Sequence, residues 1–403
     1  MRIDSKQLRA DFDALAAIGA TPKGGVDRPS LGEAHLAART WFLERAAAAG
    51  LATKIDAAGN HSALLPTEGP SLLLGSHLDS VPNGGRFDGA LGVVAALHVL
   101  LAVRGTDLPV TLEAIDFTDE EGTLIGLLGS EALAGTLAPE TLRAPRGGRA
   151  ALLAGLERAG LHEEQLVSAR REPASLAGYL ELHIEQGPVL ERAGVQIGIV
   201  TAIVGACSFS LMFRGASGHA GTTPMDARRD AGLAAASFAL AANEIVVRDF
   251  PGCVATVGDV RLEPGAYNVV PGTARVALEF RSGDAAELDR LEQALLGAAH
   301  AAAEGREVGL DVEPVGRWAP TPLDAGMCDV IETAAAELGL SSMRLRSGAG
   351  HDAQALARVT PAGMIFVPSI GGVSHDPGES TSWTDCVNGA NVLLDAALAL
   401  ARR

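Results

Sequence analysis

The sequence predicts an α/β chain: a sheet domain that gathers a metal-ligand cluster at its strand ends, interrupted by an inserted split βαβ domain. Three observations carry that expectation. The chain has 403 residues, more than twice a typical domain length. Short apolar runs alternate with helical patterns along most of it. Between about Ala206 and Arg317 the order changes to strand, helix, strand, strand, helix, strand.

Four apolar runs, Leu72 to Leu74, Leu112 to Phe117, Tyr179 to Ile184 and Met364 to Val367, each give way to a loop rich in Gly, His, Asp or Glu. They are expected to be strands feeding a site, because open α/β sheets bind ligands beyond the carboxyl ends of their strands. Helices are expected over Gly89 to Val103, Glu131 to Leu137 and Asp385 to Leu400. In the inserted segment the expected strands are Ser208 to Arg214, Val254 to Arg261, Thr273 to Arg281 and Val308 to Val315. Its helices are Met225 to Arg248 and Ala285 to Glu304. Residues 1–206 with 318–403 then form one domain and 207–317 the other, with hinges near Gly205 and Gly316.

Composition narrows the function classes. Hydrophobic residues make up 47% and charged residues 20%, so the chain is expected to be globular throughout. A net charge of −17 argues against nucleic acid or an anionic membrane as partner. The start, Met1-Arg-Ile-Asp-Ser-Lys, lacks a signal pattern, and no window approaches the ~18 uninterrupted apolar residues of a spanning helix, so a cytoplasmic location is expected. Cys207, Cys253, Cys328 and Cys386 are widely spaced and read as buried free thiols. Any metal must therefore be bound by histidines and carboxylates.

Such groups recur at the strand ends. His77 and Asp79 lie two apart and so face the same way in a strand. Asp88 follows in Gly85-Arg-Phe-Asp88-Gly89, just before a helix. Glu120 and Glu121 are adjacent carboxylates that would repel each other in a dry pocket unless cations sit beside them. The third strand carries His183, sharing a face with Glu185 opposite Leu182 and Ile184, and His375 follows the fourth. Singly, each has an ordinary reading as a structural histidine or a solvated acidic turn. Together, three histidines and two or three carboxylates suit two divalent ions, zinc first, with manganese, cobalt or nickel also compatible.

Seven segments extend this pattern: Gly75-Ser-His77-Leu-Asp79-Ser-Val-Pro-Asn-Gly-Gly-Arg-Phe-Asp88-Gly, Glu120-Glu121-Gly, Leu182-His183-Ile-Glu185-Gln186-Gly-Pro, Gly218-His219-Ala-Gly-Thr-Thr-Pro-Met-Asp, Asn268-Val-Val-Pro-Gly, Ser347-Gly-Ala-Gly350-His351-Asp and Ser374-His375-Asp-Pro. Across nearly its whole length the chain resembles the binuclear zinc amidohydrolases that include N-carbamoyl-L-amino-acid hydrolase, allantoate amidohydrolase and β-ureidopropionase, relatives of aminoacylase among the zinc exopeptidases. The resemblance implies a zinc-exopeptidase-like catalytic sheet domain with an inserted ferredoxin-like lid and dimerisation domain. Asp88 would bridge two ions, His77 and His183 completing one position, Glu121 and His375 the other. Glu120 would be the general base, and Asp79 the carboxylate that orients His77.

Under the same resemblance His219 would donate to the oxyanion, reaching the neighbouring subunit of a homodimer. Arg281 would hold a substrate carboxylate, with Asn268 and Gln186 adding neutral hydrogen bonds and Gly350 and His351 lining the pocket. Each also has an ordinary reading as a surface or structural residue. The implied reaction is hydrolysis of N-carbamoyl-L-amino acids, with allantoate and N-carbamoyl-β-alanine as alternative substrates. An alternative of another class is a non-catalytic homologue used for binding or assembly, against which the intact ligand set and Glu120 speak. The chain departs from its relatives at Thr123-Leu-Ile-Gly126, where an Arg-Phe pair is common, and at Asp376, where a neutral residue is common.

Overall fold

The computed structural model describes residues 1–402, which form two compact units: Met1–Thr201 with the residues from Leu323 on, and Ala202–Pro322. The fold is mixed α/β. In the first unit the four parallel central strands run in the order Thr111–Phe117, Ser71–His77, Leu176–Ile184 and Ala362–Val367. His61–Leu65 and Ala52–Ile55 extend one side antiparallel, and Ile197–Ile203 the other, where it also pairs with Ser342–Ser347; its last two residues, Ala202 and Ile203, belong to the second unit and pair there with Thr321–Pro322. The central strands are buried on both faces, which is why they read as continuous apolar runs with no polar alternation.

The Ala90–Val103 helix is buried almost all round, so it is apolar all round. Several helix ends differ from the sequence expectation for local reasons. Leu128–Ala134 replaces Glu131 to Leu137, because Gly135 adopts the left-handed conformation that stops it. Trp383–Ala401 starts before Asp385, because the Ser382 side chain accepts the Asp385 N–H and caps it. Two N-terminal helices, Ser5–Ala16 and Glu33–Ala48, complete the cover.

The second unit is a four-stranded antiparallel sheet in the order Gly309–Trp318, Gly205–Arg214, Thr273–Ser282, Val254–Glu263. Helices Ala231–Asp249 and Ala285–Glu304 close a core around Phe209, Phe213, Phe238, Val276, Phe280 and Leu291. The first of these helices begins at Ala231 and not at Met225, since Met225–Ala227 is a separate short turn and Asp230 caps Leu233 N–H. Gly205 opens one strand and Gly316 lies at a register shift in another, so both expected hinges are strand residues. Ala231–Asp249 is long and apolar enough, by length and composition, to cross a membrane, although Ser237, Asn243, Glu244 and Arg248 interrupt its apolar run. Its apolarity has a packing explanation: Ala234, Ala235, Phe238, Ala242 and Val246 pack into the core of this unit.

Candidate metal centre

The strand ends of the first unit bring their polar residues to one cleft of about 170 Å³, lined by His77, Asp88, Glu120, Glu121, His183, Gln186, Ala349, Gly350, His351 and His375. Asp88 is its hub. One carboxylate oxygen, Oδ1, faces His183 Nε2 at 3.1 Å and His77 Nε2 at 3.6 Å. The other, Oδ2, faces His375 Nε2 at 3.4 Å and accepts from Gln186 Nε2 at 2.9 Å. His375 Nε2 is also 3.6 Å from Glu121, and His77 Nε2 is 3.6 Å from Glu120.

Main-chain atoms aim the rings. His77 Nδ1 lies 3.1 Å from the Asp79 carbonyl and His183 Nδ1 2.8 Å from the Ile184 carbonyl, leaving both Nε2 atoms toward Asp88. The Asp79 carboxylate is farther from the His77 ring, at 3.8 Å, and instead accepts the Glu120 and Glu121 N–H groups at 3.3 and 3.2 Å. Asp79 thus holds the acidic turn through its side chain and the imidazole through its carbonyl. Gly89 makes the close approach possible: its φ is +62°, and a Cβ there would stand 2.5 Å from the His77 ring.

Electrostatically the cleft has excess buried negative charge. Burial, with Asp352, Glu121, Asp79 and Asp88 as like-charged neighbours, holds the Glu120 carboxyl well above its ordinary value. Burial and Asp88 push Glu121 up to about 8. For Asp88 burial acts upward, but hydrogen bonds from His183 and His375 and the charges of His183 and His77 together keep it well below the usual range. Burial opposes charge on His183, yet the bond to Asp88 and nearby carboxylates raise it to about 9, and the Asp88 bond raises His375 to about 9. Burial lowers His77 and holds His351 well below its ordinary value.

The residues fit divalent cations. His77, Asp88 and His183 offer ligand atoms within 4.8 Å of one another, as do Asp88, Glu121 and His375, and the two triples share Asp88. Glu121 Oε1 is buried without a hydrogen-bond partner among the described residues, as an oxygen awaiting a cation would be. A third close group, Glu181, His183 and His351, lies behind the first, but Glu181 is already used by Ser76 Oγ and Ala353 N–H.

Of the remaining sequence candidates, Gly350 and His351 line the cleft; His351 Nε2 is 2.9 Å from Ser347 Oγ and its ring packs edge-on against His183. His219, Asn268 and Arg281 belong to the second unit. His219 and Asn268 share a short ribbon, where Gly218–His219 pairs with Val269–Val270, and Arg281 pairs with Glu279 at 2.7 Å.

Sequence reasoning missed the groups behind the cleft. Arg39, fully buried, binds Asp116 at 2.7 Å and the Phe117 carbonyl at 3.0 Å beneath the acidic turn. Arg28 binds the Leu78 carbonyl at 2.9 Å beneath His77. A buried arginine leaves no mark in a sequence. Glu181 did leave one, lying two residues before His183 on the same strand face, and so did Glu379, four residues after His375. A separate apolar cavity of about 190 Å³ at the opposite strand ends, lined by Leu72, Val110, Ala177 and Met327, has among the described residues only Asp324 as a charged group, and that side chain caps a helix.

Residues 73–399 match the model of peptidase family M20/M25/M40. The chain belongs to that family. It is 39% identical to the N-carbamoyl-L-amino acid amidohydrolase of Geobacillus stearothermophilus over 99% of both chains. It is 35% identical to the allantoate amidohydrolase of Escherichia coli over 94% of both, and 35% identical to the ureidoglycolate hydrolase of Arabidopsis thaliana over 98% of this chain and 86% of that one. A solved structure described as an amidase of the hydantoinase/carbamoylase family from Burkholderia multivorans is 33% identical, covers 100% of this chain and 99% of its own, and superposes with a TM-score of 0.92. This M20/M25/M40 chain is accordingly a hydrolase of carbon–nitrogen bonds.

Proposed function

We propose that the protein hydrolyses N-carbamoyl-L-amino acids to the amino acid, ammonia and carbon dioxide. The observation that carries this reading is a buried carboxyl, Glu120, beside two triples of candidate ligands that share Asp88. Two divalent ions, zinc first, would be held by His77, His183, Asp88, Glu121 and His375; bound there, such ions acidify water and polarise a carbonyl. Glu120 takes a proton from water as its oxygen adds to the carbamoyl carbon. The C–N bond to the amino acid then breaks, Glu120 hands its proton to the leaving nitrogen, and the carbamate released decomposes to ammonia and carbon dioxide. A carboxyl whose pKa burial has raised is well suited to hold that proton between the two steps.

Gln186, Gly350 and His351 would line the substrate's path. The proposal extends to the second unit, residues 207–317, as a lid: His219 would donate to the oxyanion, Arg281 would fork onto the substrate carboxylate and Asn268 would add a neutral hydrogen bond. Lid closure would expel water from residues 1–206 and 318–403. We also propose a cytoplasmic homodimer. Leu233, Leu240 and Val247 form an exposed stripe at seven-residue spacing on Ala231–Asp249, and Val254–Glu263 is an edge strand with exposed Val254, Val260 and Leu262. Sedimentation should give a dimer mass, and Leu240→Glu with Val247→Glu a monomer.

A panel of N-carbamoyl amino acids, allantoate, ureidoglycolate, N-carbamoyl-β-alanine and N-acetyl amino acids, assayed for ammonia or free amine, tests the substrate. The highest kcat/KM is expected on N-carbamoyl-L-amino acids. Allantoate or ureidoglycolate is the second reading, favoured by the relatives at 35% identity, and a higher kcat/KM on either would replace the first. No turnover on any member, with metals loaded, would refute the proposed substrate class.

A further inference from the structure

Resting on the two-ion reading above, the geometry points to Glu379 as a positioning residue that, through Ser374 and Gln186, holds the Glu121/His375 ion position and makes it the exchangeable one. Glu379 is 4% exposed. Its Oε1 accepts the Phe87 and Asp88 N–H groups, each at 3.1 Å, and its Oε2 accepts Ser374 Oγ at 2.9 Å. Ser374 Oγ accepts from Gln186 Nε2 at 3.2 Å, and the same nitrogen donates to Asp88 Oδ2 at 2.9 Å. A carboxylate only accepts, so the amide orientation of Gln186 is fixed. The result is a closed ring that grips Asp88 by its main chain on one side and by Oδ2 on the other.

The ring acts on one half of the site. Oδ2 is the oxygen that faces His375, and His375 follows Ser374 directly with φ at +55°, a conformation an L side chain keeps only when its neighbours hold it. Gln186, at φ +60°, is anchored in turn by its N–H to Ser369 Oγ at 3.0 Å. His77 and His183 have independent supports, the Asp79 and Ile184 carbonyls, and are 1% exposed, whereas the His375 side chain is 51% exposed. Loss of the ring therefore unfastens the outer position and leaves the inner one with its own anchors.

The test is zinc titration of the metal-free protein in metal-buffered solution, with bound zinc counted by mass spectrometry and cobalt absorption read in parallel. Wild type is expected to bind two ions per chain. In Glu379→Ala the weaker step should lose ~10–100-fold in affinity while the stronger is unchanged, the size usual for outer hydrogen-bond partners of metal ligands. Glu379→Gln keeps an acceptor for the two N–H groups and should recover most of that loss. Ser374→Ala should weaken the same step, and carries the test if Glu379→Ala does not fold. Metal-free variants that melt with wild type exclude a general loss of structure. Equal weakening of both steps, or two unchanged steps in every variant, overturns the inference. A wild type that binds one ion at saturation removes the two-ion reading and this inference with it, whereas two ions in wild type with both affinities unchanged in all variants remove this inference alone.

Discussion

Replacing Glu120 by glutamine removes a negative charge and a proton acceptor while keeping the side chain's shape. Its main-chain N–H stays on Asp79 Oδ1 at 3.3 Å, and its side chain stays beside His77, 3.6 Å away. None of the five proposed ligands changes. General acid–base catalysis contributes about 10²–10⁴-fold, or about 3–5 kcal/mol of barrier. Because Glu120 both takes and returns the proton, kcat is expected to fall toward the upper end. Asp352, Glu121, Asp79 and Asp88 all repel its charge, so the metal-free variant should melt no lower than wild type. The assay is kcat at saturating N-carbamoyl amino acid, with zinc per chain and melting temperature measured on the same sample. Activity within tenfold of wild type, or a drop matched by lost zinc, would refute the assignment of Glu120 as base.

Ion binding should release protons. In the metal-free protein His183 and His375 hold protons up to about 9 and Glu121 up to about 8, and ligands must be deprotonated, so affinity should rise with pH between about 6 and 9. Calorimetry in buffers of unlike ionisation enthalpy counts the protons; pH-independent affinity would contradict this. Arg39→Met strands the Asp116 carboxylate in the core and should cost about 3–5 kcal/mol in denaturant unfolding, a loss under about 1 kcal/mol arguing that the pair is dispensable. Gly85→Ala would place a Cβ 2.0 Å from the Glu379 carboxyl group, so it should weaken the outer zinc step as Glu379→Ala does. A two-step titration identical to wild type would count against it.

The strands that feed the cleft were legible because burial on both faces writes itself as unbroken apolar runs. The residues at their ends were legible because imidazoles and acids are out of place there. Helix starts were less so: Met225 to Arg248 looks periodic, yet the cap at Asp230 decides where the helix begins. Asp79 shows a further limit. Its proximity to His77 follows from two-residue spacing, but that its carboxylate turns to the Glu120 and Glu121 N–H groups depends on the neighbouring strand. Arg28 and Arg39 could not be read at all, because their partners are mostly carbonyls and a single aspartate far along the chain.

Those two arginines have a practical consequence. Both precede residue 73, where the family match begins, yet their guanidinium groups lie directly under the floor of the cleft. An expression fragment trimmed to the matched segment would keep every proposed ligand and the base. It would also leave Asp116 facing the interior with no cation, so any minimal hydrolase cut from this chain has to retain the first two helices and the Arg28 loop that carry its hidden foundation.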